Sequence, residues 1–140
     1  MSHQCNNLII HCMDFRFTKA IKDFMEDEGI MGDCDTVTIA GGVKSLIEPM
    51  SGEHHATLKD QIDLSKKLHG IKNIYFINHT DCGAYGGKAA FANSTEEKEK
   101  HYNHLQKSKD MILSMYPDMN IIKVLASIDD FGSIKLDKIS

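Results

Sequence analysis

Ile71-Lys72-Asn73-Ile74-Tyr75-Phe76-Ile77 leads through Asn78 into His79-Thr80-Asp81-Cys82-Gly83. The near-continuous apolar run suits a strand buried on both faces at the centre of a parallel sheet. The motif behind it sets an imidazole and a thiol three positions apart just as the strand ends, so one turn can aim both at one point. Upstream, Leu8-Ile9-Ile10 precedes Cys12-Met13-Asp14-Phe15-Arg16 in the same manner. Two strand ends that each deliver sulfur or nitrogen donors predict one metal site, built at one edge of a sheet.

Working outward, residues 7–11 read as a short buried strand. Ile21, Phe24 and Met25 form one helical stripe within residues 18–28, and Gly29 is placed to cap it. The β-branched run Thr36-Val37-Thr38-Ile39 predicts a second strand, ending in the tight turn Ala40-Gly41-Gly42. Pro49 bars a helix from running through residues 43–53. A helix is expected over 53–69, with Leu58, Ile62, Leu64 and Leu68 as most of its buried side and Gly70 after it. A second long helix is expected over 94–115, capped by Ser94 or Thr95. Residues 121–126 predict a fourth strand. Asp129-Asp130-Phe131-Gly132 then turns the chain into a short last strand over 133–136.

Strands alternating with helices predict an α/β fold: a mainly parallel central sheet of about four parallel strands plus a short edge strand, flanked by helices. Residues 1–140 are read as a single domain. Right-handed crossovers place the C-terminal ends of the parallel strands along one edge, where open sheets bind ligands at the reversal of strand order. Cys12, Gly41-Gly42 and His79 all follow strands, so all three are expected at that edge.

A formal net charge of −4 offers no cationic field to nucleic acid or to an acidic membrane. No run approaches the roughly 20 apolar residues that cross a bilayer. The opening Met1-Ser2-His3-Gln4-Cys5-Asn6-Asn7 lacks the pattern of a signal peptide, and a cytoplasmic protein is expected. Four cysteines in a chain of this length do not make a disulfide scaffold. Cys12 and Cys82 have motif neighbours; Cys5 and Cys34 read as small buried hydrophobes.

Zinc favours thiolate and imidazole donors in a tetrahedron. Cys12, His79 and Cys82 are the candidate ligands for Zn2+. Asp14 is either a fourth ligand or a group that leaves the fourth position to water. Arg16, two residues on, faces the same side as Asp14 in an extended segment and can hold its carboxylate through a two-pronged hydrogen bond. An Asp14 held by Arg16 leaves the metal open, whereas an Asp14 released from Arg16 can close the site. A closed structural zinc site is a competing reading of the same residues, as is a cysteine nucleophile with His79 as its base.

Other motifs carry less. Gly83 to Lys88 is not a phosphate loop, since three residues separate Gly83 from Gly87 where four are needed and Ala89 replaces the Ser or Thr that would bind magnesium. His54 and His55, at a helix start, are read as solvent-facing. His101 and His104 sit in a charged helix and are read as surface residues. Tyr85 either lines the mouth of the site or packs as an ordinary aromatic.

At Cys12-Met13-Asp14-Phe15-Arg16, Ala40-Gly41-Gly42 and His79-Thr80-Asp81-Cys82-Gly83 the chain resembles the β-class carbonic anhydrases. Order and approximate spacing match as well, over about residues 7–128. The resemblance implies zinc on Cys12, His79 and Cys82, with Asp14 and Arg16 as the catalytic dyad. It implies a substrate pocket shaped by Gly41, Gly42, Phe15 and Gly83. The implied reaction is reversible hydration of carbon dioxide to bicarbonate by zinc-bound hydroxide, with the proton leaving to buffer through a histidine such as His54 or His55. A homodimer or homotetramer is implied too, the apolar pocket being completed by a neighbouring subunit. The chain departs from the family pattern at Phe15, where a small residue is usual, and at Thr38-Ile39, where Arg-Asn is usual. With Cys12 so early, the long N-terminal helical arm of many members is expected to be absent. Relatives of the same fold hydrolyse carbonyl sulfide or carbon disulfide, which is the alternative activity. A non-catalytic zinc-binding protein with Asp14 as fourth ligand is the other.

Overall fold

The structure is a computed structural model and describes residues 3–140. Five strands form one sheet in the order β2-β1-β3-β4-β5. They are β1 (Asn7–His11), β2 (Cys34–Thr38), β3 (Asn73–His79), β4 (Asn120–Ile128) and β5 (Ile134–Ile139). The first four run parallel, and β5 pairs antiparallel with β4 at the edge. The expected architecture is therefore the one observed, although the edge strand runs on to Ile139.

Strand alternation divides the core in two. Leu8, Ile10, Ile74 and Phe76 point to one face, where Leu58, Ile62, Leu105 and Ile112 cover them. Those covering residues come from α3 (Gly52–His69) and α4 (Ser94–Met115). Ile9, Tyr75, Ile77 and Val124 point to the other face, where Phe17 packs with Ile21 and Met25 of α1 (Thr18–Asp27). The short α2 (Lys44–Ile47) ends just before Pro49, as that residue demands.

Three expectations need correction. Leu64 and Leu68 are exposed, at 43% and 61%. The buried stripe of α3 runs through Leu58, Ile62 and Ser65, and at about 100° per residue the two leucines fall well off it. Asn93 caps α4, its side chain accepting the Glu96 N–H at 2.9 Å, where Ser94 or Thr95 was expected. His101 and His104 are buried, at 0% and 2% exposure. The inward stripe of α4 is Glu97, His101, His104, Leu105, Ser108 and Ile112, mostly polar residues that hydropathy does not mark as core.

Among the described residues, no helix is long and apolar enough to cross a membrane.

Candidate metal centre

β1 lies between β2 and β3, so strand order reverses beside it, and the crevice at its C-terminal end is the fold's natural binding position. Cys12 leaves β1 there and His79 ends β3 there. The end of β3 is fastened to β4: the Thr80 N–H donates to Ala126 O at 2.9 Å, and Thr80 Oγ1 accepts the Ile128 N–H at 3.1 Å. Cys82 then opens a 3-10 turn over Gly83–Tyr85.

Cys12, His79 and Cys82 are buried, and their donor atoms all lie within 4.8 Å of one another. The two Sγ atoms are 3.9 Å apart. Two thiolates on a tetrahedral zinc stand about 3.8 Å apart, given Zn–S bonds of about 2.3 Å. His79 is oriented for ligation. Its Nδ1 is 2.7 Å from Thr80 O, and a carbonyl only accepts, so Nδ1 carries the proton and Nε2 presents a lone pair. That Nε2 is buried without a hydrogen-bond partner, an expensive condition that a cation would relieve. Phe17 packs on the imidazole with ring centroids 4.2 Å apart. The Cys82 S–H beside Cys12 holds the Cys12 thiol well below the usual thiol range, outweighing its burial. The neighbouring His79 and the Gly41 N–H, 3.4 Å from Cys12 Sγ, act in the same direction. The donor set fits a zinc-like cation.

Asp14 stands at the mouth of this cluster, its Oδ2 3.8 Å from His79 Nε2. Arg16 binds both of its oxygens. The Arg16 N–H and Nε reach Oδ1 at 2.9 and 3.1 Å, and Nη2 reaches Oδ2 at 2.8 Å. The pairing arises differently from the extended segment expected. Phe15–Phe17 is a 3-10 turn with Asp14 as its N-cap, and that turn brings Arg16 back onto the carboxylate. The Arg16 hydrogen bonds hold the Asp14 carboxyl below its ordinary range, so it is ionised at neutral pH.

Arg16 is itself anchored, by Nη1 to Asp81 Oδ2 at 3.0 Å and by Nη2 to Asp81 O at 2.9 Å. Asp81 has φ +53°, a conformation rare outside glycine but tolerated by Asp. The buried Glu97 carboxylate takes its N–H at 2.8 Å, and its Oδ1 accepts the Lys88 N–H at 2.9 Å. Sequence reading missed Asp81 and Glu97. Asp81 lay inside the quoted motif, but Glu97 looked like one more member of a solvated charge run.

A cavity of about 380 Å3 opens beside Cys12, lined by Met13, Asp14, Phe15, Ala40, Gly83 and Ala84. Phe15 and Gly83 both line this cavity. Phe15 is 85% exposed and stands at the rim, so it does not stop the cavity. Gly41 and Gly42 act from behind the lining. Gly41 donates its N–H to Cys12, and Gly42 (φ +57°) passes so close to Asn78 that a Cβ would lie 2.7 Å from Asn78 Oδ1. His54 is exposed and His55 half-buried at the start of α3, with His55 Nδ1 3.0 Å from Leu46 O; neither lines this cavity.

Behind the centre runs a polar chain that hydropathy did not reveal. Asn78 Oδ1 accepts the Val43 N–H at 3.1 Å. Its Nδ2 donates to Tyr85 Oη and to His101 Nδ1, both at 3.0 Å. The Tyr85 hydroxyl donates to His104 Nδ1 at 2.7 Å, and His104 Nε2 lies 3.2 Å from Glu48 Oε2. Tyr85 is therefore a packed, hydrogen-bonded aromatic rather than a residue of the mouth.

A mainly parallel α/β sheet with two cysteine sulfurs and an imidazole converging at its C-terminal edge defines the class of this protein. The family model described as "Putative carbonic anhydrase" matches residues 2–135, and the chain belongs to that family. It is 31% identical over 130 residues to an uncharacterized protein of Rickettsia bellii, covering 91% of this chain and 79% of that one. An uncharacterized protein of Rickettsia conorii is 28% identical, with 91% and 70% covered. The fold matches a carbonic anhydrase from Glaciozyma antarctica at TM-score 0.58 and 21% identity, covering 96% of this chain and 81% of that one. It also matches a tetrameric beta-carbonic anhydrase of Sordaria macrospora at TM-score 0.53 and 15% identity, with 98% and 84% covered.

Proposed function

We propose that this protein is a zinc-dependent carbonic anhydrase that interconverts carbon dioxide and bicarbonate. The observation that carries the reading is the buried, unpartnered His79 Nε2 beside two thiols, with an ionised Asp14 held back at the rim by Arg16. Cys12, His79 and Cys82 would hold the metal. Bound there, zinc would supply a Lewis acid that makes water acidic enough to react near neutral pH.

The remaining chemistry belongs to the chain. Asp14 offers a fixed carboxylate as hydrogen-bond acceptor for a water or bicarbonate hydroxyl beside His79. Arg16 keeps that carboxylate ionised and engages both of its oxygens, which favours an open metal position over Asp14 as fourth ligand. Asp81 and Glu97 fix the arginine and the loop that carries Cys82. Ala40, Ala84, Met13 and Phe15 give the cavity an apolar wall suited to a small uncharged substrate. Met13 and Phe15 are 71% and 85% exposed at its rim, which supports a homodimer or homotetramer in which a second subunit completes the pocket.

The test is stopped-flow carbon dioxide hydration with zinc content quantified, from about pH 7 to about pH 9. Turnover that rises with pH and tracks zinc supports the reading. Zinc bound through Cys12, His79 and Cys82 without turnover at any pH would refute it, and would move the assignment to carbonyl sulfide or carbon disulfide hydrolysis or to a non-catalytic zinc protein.

A further inference from the structure

A second donor cluster lies at the opposite edge of the sheet. Cys5 precedes β1, Asp35 lies near the start of β2, and His69 ends α3. One donor atom from each lies within 4.8 Å of the other two. The backbone holds them together. The Cys5 N–H donates to His69 O at 3.0 Å, and Asn7 and Cys34 face each other across the β1–β2 ladder. His69 Nδ1 is 2.6 Å from Asp35 Oδ2, which also accepts the Ser65 hydroxyl at 2.6 Å.

We propose that Cys5, Asp35 and His69 form a second metal site, for zinc or a similar late first-row divalent cation. The donor types decide the class of metal. One thiol, one imidazole and one carboxylate suit zinc, whereas calcium and magnesium take all-oxygen sets. The setting favours a cation in three ways. His69 closes the last turn of α3, where the helix dipole is negative. Burial raises the Cys5 thiol most, and the negative charges of Asp35 and Asp33 beside it raise it further, charges that a cation would offset. A cavity of about 370 Å3, lined also by exposed His3 and by Cys34, opens directly on the cluster and gives a route of entry. All three donors are partly exposed, as a loadable site requires.

Binding is an exchange of cations. The proton of the Cys5 thiol leaves as the metal enters, and the His69 ring, which binds as the neutral imidazole, carries its one proton on the nitrogen that does not face the metal. Ser65 keeps its bond to the carboxylate and fixes its angle. The site shares no residue with the Cys12 cluster, so it stands or falls independently of the carbonic anhydrase reading.

The test is metal content of the full chain after saturation with zinc and removal of loose metal, in the wild type and in Cys5→Ser, His69→Gln and Cys82→Ser variants. The expected result is two zinc per wild-type chain. Cys5→Ser and His69→Gln each fall by one, with carbon dioxide hydration unchanged. Cys82→Ser also falls by one, through the other site. Equal zinc in the wild type, Cys5→Ser and His69→Gln would overturn the proposal and leave Asp35 as a hydrogen-bonded tie between β2 and α3. Two independent variants guard against one failing to fold. A cobalt titration adds a second readout, because the thiolate-to-cobalt absorption of the wild type should lose in Cys5→Ser only the share of a single sulfur.

Discussion

His101 should make this protein sensitive to mild acid, by an amount the structure specifies. The side chain is fully buried in α4, and burial lowers its pKa from 6.5 to about 4, with the imidazoles of His79 and His104 adding to the shift. The hydrogen bonding agrees. Asn78 Oδ1 takes the Val43 N–H, so Asn78 Nδ2 must donate, and His101 Nδ1 must accept. A second proton on the ring would break that bond. Because the folded chain resists the proton and the unfolded chain accepts it, stability is complete above about pH 6.5, falls as the pH drops, and levels off below about pH 4. At 1.36 kcal/mol for each pKa unit, the loss between pH 7 and pH 5 is about 2 kcal/mol. The comparison is His101→Asn, which keeps an acceptor near the Nδ1 position but does not titrate. Urea unfolding at the two pH values should show the wild-type midpoint falling by about 1 M more than that of the variant, for a slope of about 2 kcal/mol/M. The variant will be less stable at pH 7, so only the difference in pH response is diagnostic. An equal shift in both proteins would refute the assignment of acid sensitivity to this histidine.

Three further outcomes are expected. Gly42→Ala would force a left-handed alanine and drive its Cβ to 2.7 Å from Asn78 Oδ1 and 3.0 Å from Ile77 O, so thermal or urea unfolding should show a loss of about 2–4 kcal/mol, combining strain with a lost buried hydrogen bond. Asp14→Ala should keep its metal but lower turnover by about 10²-fold or more, as removal of a positioned proton-accepting group does; full activity would defeat the role given to this carboxylate. Asp81→Asn leaves the carbonyl bond to Arg16 and removes only a partly exposed ion pair, so turnover should drop by no more than about tenfold with zinc content unchanged.

The order of strands and helices was legible because hydrophobic runs and their punctuation are local. Residues 7–11 and the run ending in Ile77 were strands wherever they lay in space, and Gly70 and Pro49 ended their helices by backbone conformation alone. The candidate ligands were legible for a different reason: Cys12 and Cys82 come just after strands and His79 ends one, and handed crossovers in a parallel sheet bring such positions to one edge. What the chain could not declare was the environment of its polar side chains. His101 and His104 sit in a stretch that reads as solvated, and only the packing of α4 against Asn78 and Tyr85 turned that face inward. Leu64 and Leu68 erred the other way, because a count of leucines does not say which side of the helix meets the sheet.

Periodicity and the direction of the chain were enough for the fold class, the ladder of elements and the three candidate donors, whose convergence the structure shows. Tertiary structure alone decided the state of that centre. The tautomer of His79 depends on a carbonyl one residue away being turned toward its ring. The posture of Asp14 depends on Arg16, and Arg16 depends on Asp81, 65 positions further along the chain. The pairing of Cys5 with Asp35 and His69 depends on β2 and the end of α3 meeting beside β1. Side-chain hydrogen bonds act over about 3 Å, and no local pattern of residues records which distant groups will come that close.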